Sequence, residues 1–348
     1  MTRFALLFAL CALLPAAADD FAPFEPVKDW EKAGLPAAED PGDVDLESSF
    51  AWLAEQQNAN GSWESPKGKH DVAATALVTL TFLGNGNTHR YGPHKKTVQK
   101  GLTWLKRAQV DPQELKWFDV GLRSWALCEA YAISRDFTLK AHCEQALERL
   151  LALRNDDGGW GNGEGQASNT LATTFGVLAL KAAYAAQVRE DREAFDKARA
   201  VLAGATDDAG LVGFCAPGDA ASLKLGKAKA EVPLFTAGSY IARVFCRDRR
   251  SEPVLRAGAE VLLAAGLGAD EPLYTYLATY GLFQCGGAKW NSWMVPMKAE
   301  LLGSREAKGK RAGSWKPAGL IGELCGRAGE TAVRTLTLEI YYRYERAR

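Results

Sequence analysis

The side chains most able to do chemistry stand at the beginnings of apolar, helix-patterned segments. His70 and Asp71 open one such segment, Asp119 a second, and Asn169 with Thr170 a third. Thr236 opens a fourth, Tyr274 and Tyr276 a fifth, and Glu330 with Thr331 the last. Carboxylic acids and a histidine in this set put proton transfer within reach. His70 stands out, because imidazole titrates near neutrality and histidine caps helices poorly. His70 and Asp71 are adjacent, however, and neighbouring positions on a helix do not face each other. Arg123 and Arg334 fall about one turn into their segments. Turned inward they could receive an anion; turned outward they would snorkel to a rim. For Asp, Asn and Thr the simpler role is N-capping, in which a side-chain oxygen accepts from an unpaired backbone N–H.

Other chemistries find no support in the residues. The chain has no C-x-x-C, and its four histidines have no metal-ligand spacing with the cysteines, so neither a metal nor a cofactor is expected. Asp156-Asp157 and Asp207-Asp208 lie in Gly-rich turns, where Asp is ordinary turn chemistry. Lys plus Arg (42) equals Asp plus Glu (42), which removes the basic face that a nucleic-acid partner needs. Cys128 and Cys143 flank a turn at Ser134–Asp136 and fall at equal height in a helical hairpin, so they suit either a disulfide or two buried thiols. For Cys215, Cys246, Cys285 and Cys325 the sequence selects no pairing.

The elements that position these residues repeat about every fifty residues. Gly61-Ser62-Trp63, Trp117, Gly158-Gly159-Trp160, Gly210 to Phe214 and Gly313-Ser314-Trp315 read as turn markers closing successive units. After each marker comes a segment rich in small and apolar residues: 71–83, 119–132, 169–183, 235–245, 274–285 and 331–344. These alternate with amphipathic segments at 46–57, 97–109, 139–153, 194–203, 254–263 and 295–302. Strand alternation is nearly absent, so the class is all-α. Helices apolar all round beside helices with one charged face predict two concentric layers of about six helix pairs. An open solenoid is the rival, but the last unit ends in Leu336, Leu338, Ile340, Tyr341 and Tyr342, a poor polar cap.

The first 18 residues read as an export leader, with Arg3, an apolar stretch from Phe4 to Leu14 and the small run Ala16-Ala17-Ala18. Export to the periplasm, cell envelope or medium is the expectation. The apolar stretch is too short to span a bilayer, and no later one is long enough. Residues 19–45 are acidic and proline-containing and read as an extended arm, leaving 46–348 as the domain.

The run Phe50-Ala51-Trp52-Leu53, Gln56-Gln57, Gly61-Ser62-Trp63 resembles the QW motif of squalene and hopene cyclases. Leu102-Thr103-Trp104-Leu105 with Gln109, and Leu150 through Trp160, are looser copies. Ala73-Thr75-Ala76-Leu77 with Phe82-Leu83-Gly84, and Leu127 to Tyr131, are similar to the prenyltransferase/squalene-oxidase repeat proteins. The resemblance runs from about Leu46 to Tyr344 and implies an α/α toroid. It gives structural roles to Gln57, Trp63, Trp160 and Trp315, and implies a central funnel ringed by the residues named at the outset. The acid motif D-x-D-D of the cyclases is replaced here by Gln166-Ala167-Ser168-Asn169-Thr170, and the zinc ligands of the protein prenyltransferases are missing. What the resemblance then implies is an isoprenoid or lipid ligand held in the funnel without that chemistry. Two alternatives stand beside it. One is an enzyme of other chemistry built on Asp71, Asp119 and Glu330. The other is an interaction scaffold using the loop at Gly161–Gly165 or the basic segment Arg305–Arg311.

Overall fold

A computed structural model of the chain describes residues 44–110, 116–163, 165–219, 223–225, 228–230 and 232–343. The leader and residues 19–43 of the arm lie outside the described residues. Twelve α-helices occur among those described: α1 (Glu47–Glu55), α2 (Asp71–Gly84), α3 (Lys95–Arg107), α4 (Lys116–Ser134), α5 (Phe137–Leu151), α6 (Thr170–Ala185), α7 (Arg192–Gly204), α8 (Val232–Phe245), α9 (Pro253–Ala265), α10 (Pro272–Cys285), α11 (Gly287–Gly303) and α12 (Gly319–Arg343). A two-stranded antiparallel ribbon, β1 (Leu223–Leu225) and β2 (Ala228–Ala230), precedes α8.

The even-numbered helices pack in sequence, and α12 packs on α2, so the inner layer is a closed ring of six. The Thr81 hydroxyl donates across this closure to the Ala332 carbonyl at 3.2 Å. Closure removes the open-solenoid alternative. The odd-numbered helices lie outside, with α3, α5, α7, α9 and α11 each touching two successive inner helices.

Composition explains the layering. Every residue of α2 from Val72 to Leu83 is buried, as is every residue of α10 from Pro272 to Gln284. Both are apolar all round, as such burial requires: α2 is rich in Ala and Thr, whereas α10 is rich in Leu and aromatic residues. In α3 only Val98, Gly101, Leu102 and Leu105 are buried, a single stripe with lysines opposite.

The turn markers do a definable job at the C-terminal ends of the outer helices, where carbonyls lack helical partners. The indole N–H of Trp63 donates to the Leu53 carbonyl at 2.8 Å, that of Trp160 to Leu150 at 2.8 Å, and that of Trp315 to Leu301 at 2.8 Å. Each tryptophan's backbone N–H donates to a threonine hydroxyl near the start of the following inner helix, Thr75, Thr173 or Thr331. Gln57 ties the same junction by donating to the carbonyls of Gly61 and Thr97. Trp160 lies so close to α6 that a methyl on Gly176 would come within 2.5 Å of its ring.

The units without a marker tryptophan use other donors. Arg123 donates to the Leu105 and Lys106 carbonyls ending α3, and the Tyr274 hydroxyl donates to Leu262 and Gly266 ending α9. In the fourth unit Val212 takes the tryptophan's place. Its N–H still meets Thr236, and a crevice of about 10 Å³ is left beside it. Trp117 is not a turn marker: it lies in the first turn of α4, stacked near Phe118 and Phe175.

One open choice is resolved and two further expectations change. Cys128 and Cys143 are both buried free thiols, and Cys143 donates to the Leu127 carbonyl. The outer helix expected from Val295 begins at Gly287 and runs through Pro296, next to the exposed Val295. Finally, α12 begins well before Thr331. A short stretch from Gly319 turns at Gly326, whose φ of 63° suits glycine, into the long inner helix.

Candidate functional site

At the end where the inner helices start, the expected residues are placed one by one. His70 Nδ1 and Asp119 Oδ2 lie 2.6 Å apart, both residues buried. The other carboxylate oxygen of Asp119 accepts from the Ala73 N–H at 2.9 Å, so it caps the neighbouring helix α2 rather than its own. His70 therefore pairs with Asp119 and not with Asp71. Asp71 turns away and accepts from the Ser65 N–H and hydroxyl at 2.7 and 2.8 Å. Asn169 caps α6 through the Ala172 N–H, Thr170 donates to the Gly213 carbonyl, and Thr236 accepts from Val212.

Glu330 and Arg334 form a buried pair at 2.7 Å. Glu330 also accepts from the Ala318 N–H, and Arg334 donates to the Ala269 carbonyl. Beside them is Glu271, which sequence reading did not single out. It accepts from the Leu320 N–H, while its Oε1 is buried without a hydrogen bond. Burial, opposed by backbone hydrogen bonds and reinforced by Glu330, pushes its carboxyl up to about 7.

Arg123 and Tyr274 are near the starts of α4 and α10 but point outward to the ends of α3 and α9, away from the ring interior. Burial first, and then Arg149, pull Arg123 down to about 10. Tyr276 is buried in the ring with its centroid 6.2 Å from that of Tyr280.

The end itself is covered. Leu320, Ile321, Leu324 and Cys325 of the stretch before Gly326 are buried. The ribbon before α8 also lies on α12, two places round the ring. The described residues of α2 from Val72 to Leu83 and of α10 from Pro272 to Gln284 are all buried, so their ring-facing side chains are shut off from solvent.

Nearer the other end, charged side chains of the inner helices gather. Arg343 of α12 pairs with Glu129 of α4 and with Glu339 of its own helix, and donates to the Leu80 carbonyl of α2 at 3.0 Å. The Trp125 indole donates to Glu129 at 2.7 Å. Lys181 of α6 lies 5.5 Å from the Phe245 ring centre of α8, with Glu129 in electrostatic range. Burial pushes the Glu339 carboxyl well above the usual range, with Arg343 opposing. Burial likewise pulls Lys181 below its ordinary value.

A third feature is at the surface, where the first unit meets the last. A groove of about 450 Å³ is lined by Trp52, Gln56, Trp63 and Glu64 on one side and by Lys310, Arg311, Arg327 and Ala328 on the other. Lys310 and Arg311 are exposed. Arg327 is anchored by donating to the Trp315 carbonyl and pairs with Glu306 at 3.6 Å. Among the described residues, no three His, Cys, Asp or Glu side chains stand close enough to hold a metal ion. No described helix is long and apolar enough to cross a membrane.

A closed inner ring of six helices wrapped by a second helical layer decides the architecture. The fold is that of the α/α toroids. Similar solved structures include a cellobiose 2-epimerase from Bacillus thermoamylovorans (TM-score 0.61, 11% identity, covering 84% of this chain and 96% of that one). The type II terpene cyclase MstE from Scytonema superposes at 0.59 with 12% identity, covering 84% and 96%. The GH76A alpha-1,6-mannanase from Salegentibacter does so at 0.58 with 13% identity, covering 86% and 99%. No family model matches the chain, and no curated protein matches it. The toroid is thus shared with a cyclase, an epimerase and glycosidases, and the prenyltransferase/squalene-oxidase family is not singled out among them.

Within this toroid, the residues that sequence reading missed are these inner-helix charges. Lys181 interrupts the apolar run Val177 to Ala183, and Glu339 interrupts Leu336 to Ile340. A lone charge in an inner-layer helix has nowhere to go but the ring interior or a neighbouring seam. That was the available signal.

Proposed function

We propose that this toroid is an exported binding scaffold whose working surface is the groove between its first and last units, and that the groove takes an acidic polypeptide segment. The observation carrying this reading is the open cavity of about 450 Å³ whose lining bears the exposed Lys310 and Arg311, with Arg327 beside them already paired to Glu306, and Glu64 as its lining carboxylate. Trp52 and Trp63 close one side of it, both buried, with their indole N–H groups donating to the Lys310 and Leu53 carbonyls, so the exposed cations are what an incoming chain would meet. The basic segment Arg305–Arg311, one of the two partner surfaces expected from sequence, supplies two of the three cations. An isoprenoid in the centre and an enzyme working through Asp71, Asp119 and Glu330 both need a void at the inner-helix starts. The packing there gives neither any support, and each of those carboxylates is engaged by a structural partner.

The test is fluorescence anisotropy with a labelled glutamate-rich peptide, titrated with the full chain at low and moderate salt. Exposed ion pairs contribute roughly 0.2–1 kcal/mol each, so binding is expected to be weak and salt-sensitive. Lys310→Glu with Arg311→Glu should weaken it at least about tenfold, since each reversal replaces attraction with repulsion. Equal binding by the double variant would remove the groove from consideration.

A further inference from the structure

We infer that the groove's resident is residues 19–43 of this same chain. The inference rests on the groove reading above and names its occupant. Residues 19–43 hold eight carboxylates and two lysines, a net charge of −6 (2 − 8). The whole chain sums to zero and Arg3 of the leader carries +1, so residues 44–348 carry +5 (0 − (−6) − 1). Charge is therefore segregated along the chain, with the acidic part adjoining the toroid and the compensating excess within the remainder. The groove is a place where that excess faces solvent in a cavity: its lining includes the exposed Lys310 and Arg311, beside Arg327. Arg311 and Arg327 are close enough to repel, which an incoming carboxylate would relieve.

Position supports the same occupant. The segment leads into Asp45, whose carbonyl accepts from Arg305 at 2.8 Å, and then into α1. Trp52 and Gln56, near the end of α1, line the groove. From Asp45 to Gln56 the helix advances roughly 16 Å at about 1.5 Å per residue. Twenty-five residues can reach back over several times that distance, since an extended chain spans about 3.3 Å per residue. A tether of this length holds its carboxylates at about millimolar effective concentration, enough to fill a site that binds weakly between molecules. An outside acidic partner would then have to displace the chain's own segment, so the scaffold is self-masked until such a partner arrives.

Two measurements on the full chain test this. At low protein concentration, a water-soluble carbodiimide should form an amide between Lys310 and a carboxylate of residues 19–43. It should appear in monomer-sized material by peptide mass spectrometry and be lost in Lys310→Arg, which keeps the charge but not the reactive amine. A variant with the eight carboxylates changed to Asn or Gln should bind a labelled peptide of residues 19–43 about tenfold or more tighter than the unaltered chain, because its groove is vacant. If both chains bind the peptide equally and no such link forms, the self-masking inference is overturned while the groove reading stands. A link found only in dimers overturns it too. If neither chain binds the peptide, the groove reading falls with it.

Discussion

At the end where the inner helices start, Asp119 is held by His70 and by the Ala73 amide, and Glu330 by Arg334 and the Ala318 amide. Towards the other end, Glu339 is fully buried with the Arg343 guanidinium 3.5 Å away as its partner and no backbone N–H donating to it. The first arrangement gives each carboxylate a charged or polarisable partner and a backbone donor, which is how a buried charge becomes tolerable. The second shares one guanidinium between two carboxylates. The difference teaches that the carboxylates at these helix starts come with built partners, whereas the charges carried at a cost are those in the middle of apolar helices.

The largest expected effect comes from breaking the better-satisfied end. Asp119→Ala leaves His70 and the Ala73 N–H without their partner, and losing one member of such a buried pair costs about 3–5 kcal/mol. The melting temperature should fall by on the order of 10 °C. A drop of only a degree or two would mean that the pair is not structural and would reopen a catalytic role for it. Next, Glu330→Gln and Glu339→Gln should differ in sign when compared at neutral pH by denaturant melts. The first breaks a satisfied network and should cost about 1–3 kcal/mol. The second removes a poorly satisfied charge and should be neutral or stabilising. Equal losses would erase the contrast between the two ends.

A pH series sharpens the comparison further through Glu271. Its folded pKa of about 7 lies above the ordinary 4.5, so between those values the folded state holds more protons than the unfolded chain. Stability from this group is then fully present below about 4.5 and declines as pH rises to about 7. Glu271→Gln should flatten that decline, melting higher than the unaltered protein at pH 8, with the gap closing towards pH 4.5. A gap that widens on acidification would show the sign to be wrong. The smallest change is expected for Lys181→Met, which exchanges a half-buried ammonium for an apolar side chain of similar length. It should shift stability by no more than about 1 kcal/mol.

Much of the architecture was legible beforehand because burial on all sides and burial on one stripe write different patterns. The twelve helices and their two layers follow from segments such as Val72–Leu83 set against Val98–Leu105. The role of Trp63, Trp160 and Trp315 was also accessible, since a tryptophan after a Gly-rich turn has few other uses. Substitution by role was not. Arg123 and Tyr274 do for α3 and α9 what tryptophan does for α1, and their chemistry pointed reading towards an anion site or a funnel. Partner choice among helix-start residues was equally hidden, because His70 meets Asp119 across 49 positions. The groove is formed by residues from opposite ends of the chain, which no local pattern can announce.

Ring closure also changes what a shortened chain loses. In an open array, a premature stop that removes the final repeat sacrifices one interface and exposes a new end. Here α12 touches both α10 and α2, so the same stop strips two inner helices at once and leaves the first unit, already made, with a bare flank. The earliest helices off the ribosome must wait for the last before their own packing is complete. Contacts such as Thr81 to Ala332, 251 positions apart, make that wait long and place it among the slower kinds of folding step.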